Sequence, residues 1–312
     1  IQWAPVETTK VSIDGLYSRF RETRTEKWAE VLFRSNERAI DVVNFTRDTT
    51  TNDIVAGTFN NAWVRTENYR RESETEFYQF SVNGSHEFTD TLRASILAGV
   101  SKSDANIPVE TTFMFDDRDA QGYRYDYTDS RSPLLAFGTS VTDPASFQLA
   151  EMRDRPSNVT NKFRTVSGRV EWDVTEALQL EAGAVYRRYD FDVFESARDT
   201  VICPTRTTAG PDSVLGTITC TPSSVFGPTA IYGYQATQAL SQTVNLGNAG
   251  QPSGATSTWI VPDIKAAAAF TGLYGRAAVP QASNIRAVRE EATGAYLQGN
   301  LKGEIGGLGF AA

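Results

Sequence analysis

His86 is the only histidine among 312 residues, so Ser/His/Asp or Cys/His catalysis and a histidine-built metal centre lack their parts. Carboxylates are numerous but scattered, and no pair stands out for acid/base work on a glycosidic bond. The run Asp116, Asp117, Arg118, Asp119 has neither the spacing nor the glycine of a calcium-binding EF-hand loop and reads as a solvated acidic loop. Cys203 and Cys220 are the only cysteines, and the stretch between them is rich in Pro, Gly and Thr. That suits a loop-closing disulfide in an oxidising compartment, with two free thiols as the alternative. What the chain does offer is binding chemistry. Tyr123, Tyr125 and Tyr127, with Trp63 and Trp259, carry flat amphipathic rings suited to stack on a sugar or cap an apolar iron chelate, or else to pack loops together. The expectation is a binding or transport protein rather than an enzyme, with no metal and no cofactor.

The element that has to position such residues is a β-hairpin. In FYQFSVNGSHEFTDTLRASILAGVSKS, residues 77–103, Tyr78, Phe80, Val82 and Gly84 alternate with Phe77, Gln79, Ser81 and Asn83. After a turn at Thr89 and Asp90, Leu92, Ala94, Ile96, Ala98 and Val100 alternate with Arg93, Ser95, Leu97 and Gly99. A period of two marks a strand with unlike faces. No apolar run reaches the length of a transmembrane helix, and 22% charged residues with a mean hydropathy of -0.35 exclude a helical membrane protein. A barrel strand needs only about 9–11 residues with one apolar face, so a barrel reads as hydrophilic on average. The 30 basic residues are scattered against 38 acidic ones, a net charge of -8, which argues against nucleic acid as a partner.

Four short turns, near Pro5, Phe88, Thr175 and Gly303, each sit between alternating strands. Three long excursions, over residues 21–75, 102–160 and 189–289, leave from the opposite side; connections of that length imply function or disorder. Within them VVNFTRDTTTNDIVAGTF reads as a small hairpin and GYRYDYTD as a strand. Asp143 and Pro144 open a short helix in DPASFQLAEMR, and Pro262 and Asp263 open another that ends by Gly272. Residues 205–258 read as flexible loop. Short turns on one rim and long loops on the other are the asymmetry of an outer-membrane barrel, with periplasmic turns and extracellular loops.

Alternation alone does not say whether the apolar faces meet lipid or the second sheet of a sandwich. Three features favour lipid. The apolar faces carry no charge. They include small residues such as Gly15, Gly84, Ala94, Ala98, Gly168 and Ala184, which fill a protein core poorly, whereas acyl chains fill any gap. Aromatics mark both ends, Trp3, Phe88 and Trp172 by the turns and Tyr17, Tyr78 and Tyr186 at the far end, with Arg19, Glu76, Arg164 and Arg188 just beyond, as at a bilayer boundary. On this reading Val82, Leu92, Ile96, Val170, Leu178 and Leu180 face lipid. Lys10, Asp14, Arg93, Arg169, Glu171, Asp173, Glu181 and Arg187 then face a wet lumen. The expected fold is all-β: an antiparallel transmembrane β-barrel segment of six full strands, with partial ones at residues 1–3 and 306–312, residues 1–312 belonging to one barrel domain.

The stretches LYSRFRETR, FYQFSVNGSHEFTDTLRASILAGVSKS, VTDPASFQL and REEATGAYLQGNL resemble TonB-dependent receptors of the Gram-negative outer membrane, over nearly the whole chain. The resemblance implies a barrel of about 22 strands around a plug and uptake of a scarce nutrient, a carbohydrate or a siderophore-type iron chelate. It also implies the partners: outer-membrane lipid, the plug domain of the same receptor, the TonB complex through an N-terminal part, and a small-molecule or oligosaccharide ligand. No plug or TonB box is legible and the chain ends in GLGFAA, so the expected piece is a middle section of such a receptor. Two other readings stay open: a passive porin-like barrel, and a secreted β-sandwich that binds or hydrolyses polysaccharide.

Overall fold

The computed structural model describes residues 1–33, 40–138, 141–198, 200–203, 231–232, 234–305 and 308–312. Strand β1 (Gln2–Val6) turns at Glu7 and Thr8 into β2 (Thr9–Leu32). A small hairpin of β3 (Asp41–Arg47) and β4 (Ile54–Asn60) precedes β5 (Ala62–Thr89), which turns at Asp90 and Thr91 into β6 (Leu92–Ala120). Short strands β7 (Tyr123–Asp126), β8 (Leu134–Phe137) and β9 (Gln148–Asp154) lead to the hairpin of β10 (Ser157–Asp173) and β11 (Leu178–Ala197). Then come β12 (Thr200–Cys203), β13 (Ile231–Tyr232), β14 (Tyr234–Gln235), β15 (Ser241–Asn245), β16 (Thr258–Pro262), helix α1 (Ile264–Thr271) and β17 (Val279–Pro280). The last hairpin is β18 (Arg286–Ile305) with β19 (Leu308–Ala311).

The main sheet runs in the order β1-β2-β5-β6-β10-β11-β18-β19, and every neighbouring pair along it is antiparallel. Six long strands flanked by two short ones is the strand count the alternation predicts. Two of the turns use one device. In TDTL the Thr89 hydroxyl accepts from the Leu92 amide at 3.0 Å, and in TEAL the Thr175 hydroxyl accepts from the Leu178 amide at 3.0 Å. A side-chain oxygen thus satisfies the amide that the bend removes from the ladder.

The turns descend across the sheet. Followed through the pairing onto β18, the strand end at Thr9 is level with Leu297, that at Leu92 with Gly299, and that at Leu178 with Leu301, while β18 itself runs to Ile305. The aromatic residues descend in step. Trp3 on β1 is level with Gly168, four residues above Trp172, and Tyr17 on β2 is level with Asp190, four residues above Tyr186.

The core lies at the end remote from the turns. Val64, Phe113, Phe115, Leu149, Met152, Val261 and Leu273 are fully buried there, packed with Phe59, Phe147, Trp259, Ile260, Ala267 and Ala268. Helix α1 and β16 cover the upper part of β5 and β6. Asn68 donates to the Pro262 carbonyl at 2.8 Å, and the Thr111 and Tyr274 hydroxyls are 2.9 Å apart. Helix α1 starts where Asp263 accepts from the Ala266 amide at 2.8 Å and stops at Gly272 in the left-handed region, φ 66°, both as the sequence predicts.

Several expectations are corrected. The strands overrun the predicted excursions, since β2 continues to Leu32, β5 begins at Ala62, β6 reaches Ala120, and β11 reaches Ala197. Pro5 lies within β1, whose bend falls at Glu7 and Thr8, and Gly303 lies within β18. His86 lies in β5, its Nδ1 2.7 Å from the Thr9 hydroxyl. Asp143 caps only a 3-10 turn, Pro144–Ser146, and QLAEMRD is strand β9, drawn into the ladder by β6. The described end of the tract read as flexible, Ser241–Asn245, pairs with β16. Asp116 and Asp117 are buried in β6, not solvated.

Candidate functional site

Each long strand carries one polar and one apolar side, and pairing aligns them into two continuous surfaces. On the polar side Arg93 stands opposite Glu171, Glu171 opposite Glu181, and Glu181 opposite Gln298; the next rung is Asp173, Gln179 and Asn300. Arg93 donates to Glu171 at 2.7 Å and to Asp173 at 3.1 Å, and Arg169 reaches Glu171 at 2.8 Å and Glu181 at 3.9 Å. Gln179 donates to Asp173 at 2.8 Å and Asn300 to Gln179 at 3.1 Å, while the Tyr296 hydroxyl bonds Glu181. Five of the residues expected to line a lumen, Arg93, Arg169, Glu171, Asp173 and Glu181, thus form one network across β6, β10, β11 and β18. Lys10, Asp14 and Arg187 share that side but stand outside the network among the described residues. A shallow groove of about 170 Å³ borders Arg93, Arg169 and Glu171.

On the other side Val82 pairs with Ile13 and Ala98, Ile96 with Gly84 and Gly168, Val170 with Ala94 and Ala182, and Leu180 with Trp172 and Gly299. Leu92 is opposite Trp172 and Leu178 opposite Leu301. The residues expected to be lipid-facing therefore share one face. That face is uncovered, with Ile96 54%, Val170 46% and Leu297 79% exposed. A run of charges ends it on the same side: Arg19 opposite Glu76, Lys102 opposite Lys162, Arg164 opposite Arg188, and Arg188 opposite Glu291.

Above this rim the strands enter the cap. β2 and β5 pair without interruption, so alternation carries Val64, Thr66 and Asn68 onto the side of Phe80 and Val82, where the core packs. The opposite side holds a buried charge cluster. Arg65 donates to Asp116 at 2.7 and 3.0 Å, lies 3.7 Å from Glu151 and sits over the Trp63 ring at 5.5 Å. Burial, then the charge of Glu30, pushes the Glu67 carboxyl up to about 7, with Arg65 and Arg153 opposing. Nothing in the local sequence signals this cluster; Arg65 and Asp116 are 51 residues apart and meet only through the β5–β6 register.

The candidate binding aromatics divide. Tyr123, Tyr125 and Tyr127 do meet, with ring centroids 6.3 Å apart for the first pair and 5.9 Å for the second, and Tyr125 stacks on Phe59 at 5.6 Å. Tyr123 and Trp259 are buried in the core, which occupies their faces with protein; burial also pushes the Tyr123 hydroxyl up to about 12. Tyr127 is exposed and Tyr125 half-buried, and these are the rings open to a ligand. Cys203 ends β12, opposite Tyr232, and Cys220 lies outside the described residues, as does the bond between them. Among the described residues no group of three or more His, Cys, Asp or Glu is placed to hold a metal, and no helix is long and apolar enough to cross a membrane. No protein-family model, curated protein or solved structure matches the chain.

Proposed function

We propose that this chain is a section of an outer-membrane β-barrel of the TonB-dependent receptor kind, from a Gram-negative cell. The apolar band meets lipid, the polar side lines a wet passage, and the cap stands outside the cell, where it captures a carbohydrate or an iron chelate. Plug and TonB complex belong to the same reading as the parts that gate and energise passage.

The observation that carries it is the common slope of the turns and aromatic rows. From the β1–β2 hairpin to the β18–β19 hairpin the strand ends drift from the level of Leu297 to Ile305 over six strand steps. Eight residues of about 3.4 Å against six spacings of about 4.8 Å is a slope of roughly 43°. Each aromatic row falls four residues over four steps, roughly 35° by the same conversion. Strands that close into a barrel tilt by about 35–45°. A bilayer plane drawn along the aromatic rows therefore crosses these strands at the angle a barrel requires. The rows lie about 20 Å apart perpendicular to that plane, close to the ~25 Å apolar band of such barrels. The sandwich reading needs Tyr78 and Phe80 covered, and both are about half exposed.

The test is polarised infrared spectroscopy of the full chain in oriented bilayers. A strand tilt near 40° from the membrane normal is expected; a tilt below 20°, or a chain that stays soluble without detergent, contradicts the proposal. In the gene, a plug and TonB box upstream are expected, and their lack would leave a passive barrel. Induction by iron limitation rather than by a glycan separates the two ligand classes.

A further inference from the structure

Above the tyrosine row the apolar side of the sheet becomes charged, and at one place like charges face each other. Lys102 stands directly opposite Lys162, and Arg164 directly opposite Arg188. Both pairs project on the side of Val100, Val166 and Tyr186. Like charges directly opposite each other are destabilising, and Lys162 and Arg164 are two residues apart on β10, about 7 Å. Of the carboxylates on this side, Asp104, Asp190 and Glu291 are already engaged, while Asp192, opposite Thr160 and diagonal to Lys162, is exposed. Asp104 is bonded to Lys102 and accepts from the Thr160 hydroxyl at 2.7 Å. Asp190, opposite Lys162, receives Arg188 at 2.9 Å and Arg289 at 2.7 Å, and Glu291 lies 3.5 Å from Arg188. Lys162 has Asp190 opposite it on β11 and Lys102 opposite it on β6, and forms no ion pair among the described residues. Arg164 is exposed and makes no ion pair or hydrogen bond among the described residues.

We propose that Lys162 and Arg164, flanked by Lys102 and Arg188, hold the phosphate of a lipid headgroup whose chains lie on the apolar band directly below. The patch has what such a group needs. The Arg164 guanidinium offers a fork of donors to phosphate oxygens, and Lys162 supplies a compact second charge. Val100, Val166 and Tyr186 continue from it into the uncovered band, so one molecule satisfies both the cations and the apolar surface. A soluble anion would satisfy only the first. The proposal rests on the membrane reading of the band.

The test uses the full chain in neutral maltoside micelles, titrated with dioctanoyl phosphatidate, dioctanoylglycerol and inorganic phosphate, binding being followed by native mass spectrometry. Phosphatidate is expected to bind at least tenfold tighter than either of the others. The Lys162→Gln/Arg164→Gln variant is expected to lose about tenfold in that affinity, and Lys162→Arg/Arg164→Lys to keep it, with strand content by circular dichroism unchanged in both. Equal binding of phosphatidate and dioctanoylglycerol, or an unaltered affinity in the glutamine variant, overturns the headgroup site and leaves the membrane reading standing. Inorganic phosphate binding as tightly as phosphatidate overturns the lipid assignment in favour of a soluble anion. A chain that takes up no detergent overturns both.

Discussion

Arg65 is the clearest case of a residue whose role depends on burial. Its guanidinium and the Asp116 carboxylate are both enclosed, with side-chain exposures of 8% and 1%, so removing either takes the nearest counter-charge from a buried ion. Asp116→Ala is expected to destabilise the cap by about 3–5 kcal/mol, whereas Arg65→Leu/Asp116→Leu recovers most of that loss. Hydrogen exchange at residues 62–67 and 113–117 reads both variants. Glu67, on the same side of β5, responds to pH. Its raised value means that between about pH 4.5 and 7 the folded chain keeps a proton that the unfolded chain has lost. Stability therefore falls as pH rises through that window, by about 1–2 kcal/mol once its partial exposure is allowed for. Glu67→Gln is expected to flatten the dependence; an unchanged slope in the variant's melting temperature between pH 4.5 and 7 would place the titration elsewhere. The acidic run at 116–119 reads as a solvated loop in sequence because charge density is local, while the partner that buries Asp116 comes from the neighbouring strand.

At the scale of the element, the period of two made the hairpins legible, with their turns and their two faces. It failed where both faces are polar. In RETRTEKWAE and ENYRRESETE no contrast between alternate positions remains, yet the ladder from Thr9 opposite His86 to Leu32 opposite Trp63 is unbroken. Backbone pairing needs no apolar signal once a register is set lower down. Strand β9 was missed for a related reason, since a good N-cap at Asp143 starts a turn but the segment after it finds an open edge on β6. Close packing across strands gives a sharper test. A β-carbon added at Gly183 would fall 2.7 Å from Cζ of Tyr296, whose hydroxyl bonds Glu181. Gly183→Ala is expected to swing the ring away, break that bond and cost about 1–2 kcal/mol; a stability equal to the parent's would show that the ring has room to shift.

For the whole molecule, the buried residues of the cap and the uncovered band below it belong to one sheet with two environments. No buried hydrophobic residue lies in the band, whereas the cap encloses Phe113, Phe115, Phe147 and Leu149 completely. A protein that leaves Ile96, Val170, Trp172 and Leu297 to water would carry an apolar patch far beyond the few hundred Å² usual for soluble monomers. On the proposed reading lipid contact would resolve this without a second sheet, and the ion-pair network on the reverse side would border a hydrated interior. The most direct measurement is the accessibility of spin labels placed on adjacent residues of two strands. Labels at Ile96 and Leu180 are expected to be relaxed by a lipid-soluble quencher and shielded from a water-soluble one, with the reverse at Ser95 and Gln179. Labels at Ile96 and Leu180 that respond only to the water-soluble quencher, or that are shielded from both, would contradict the account.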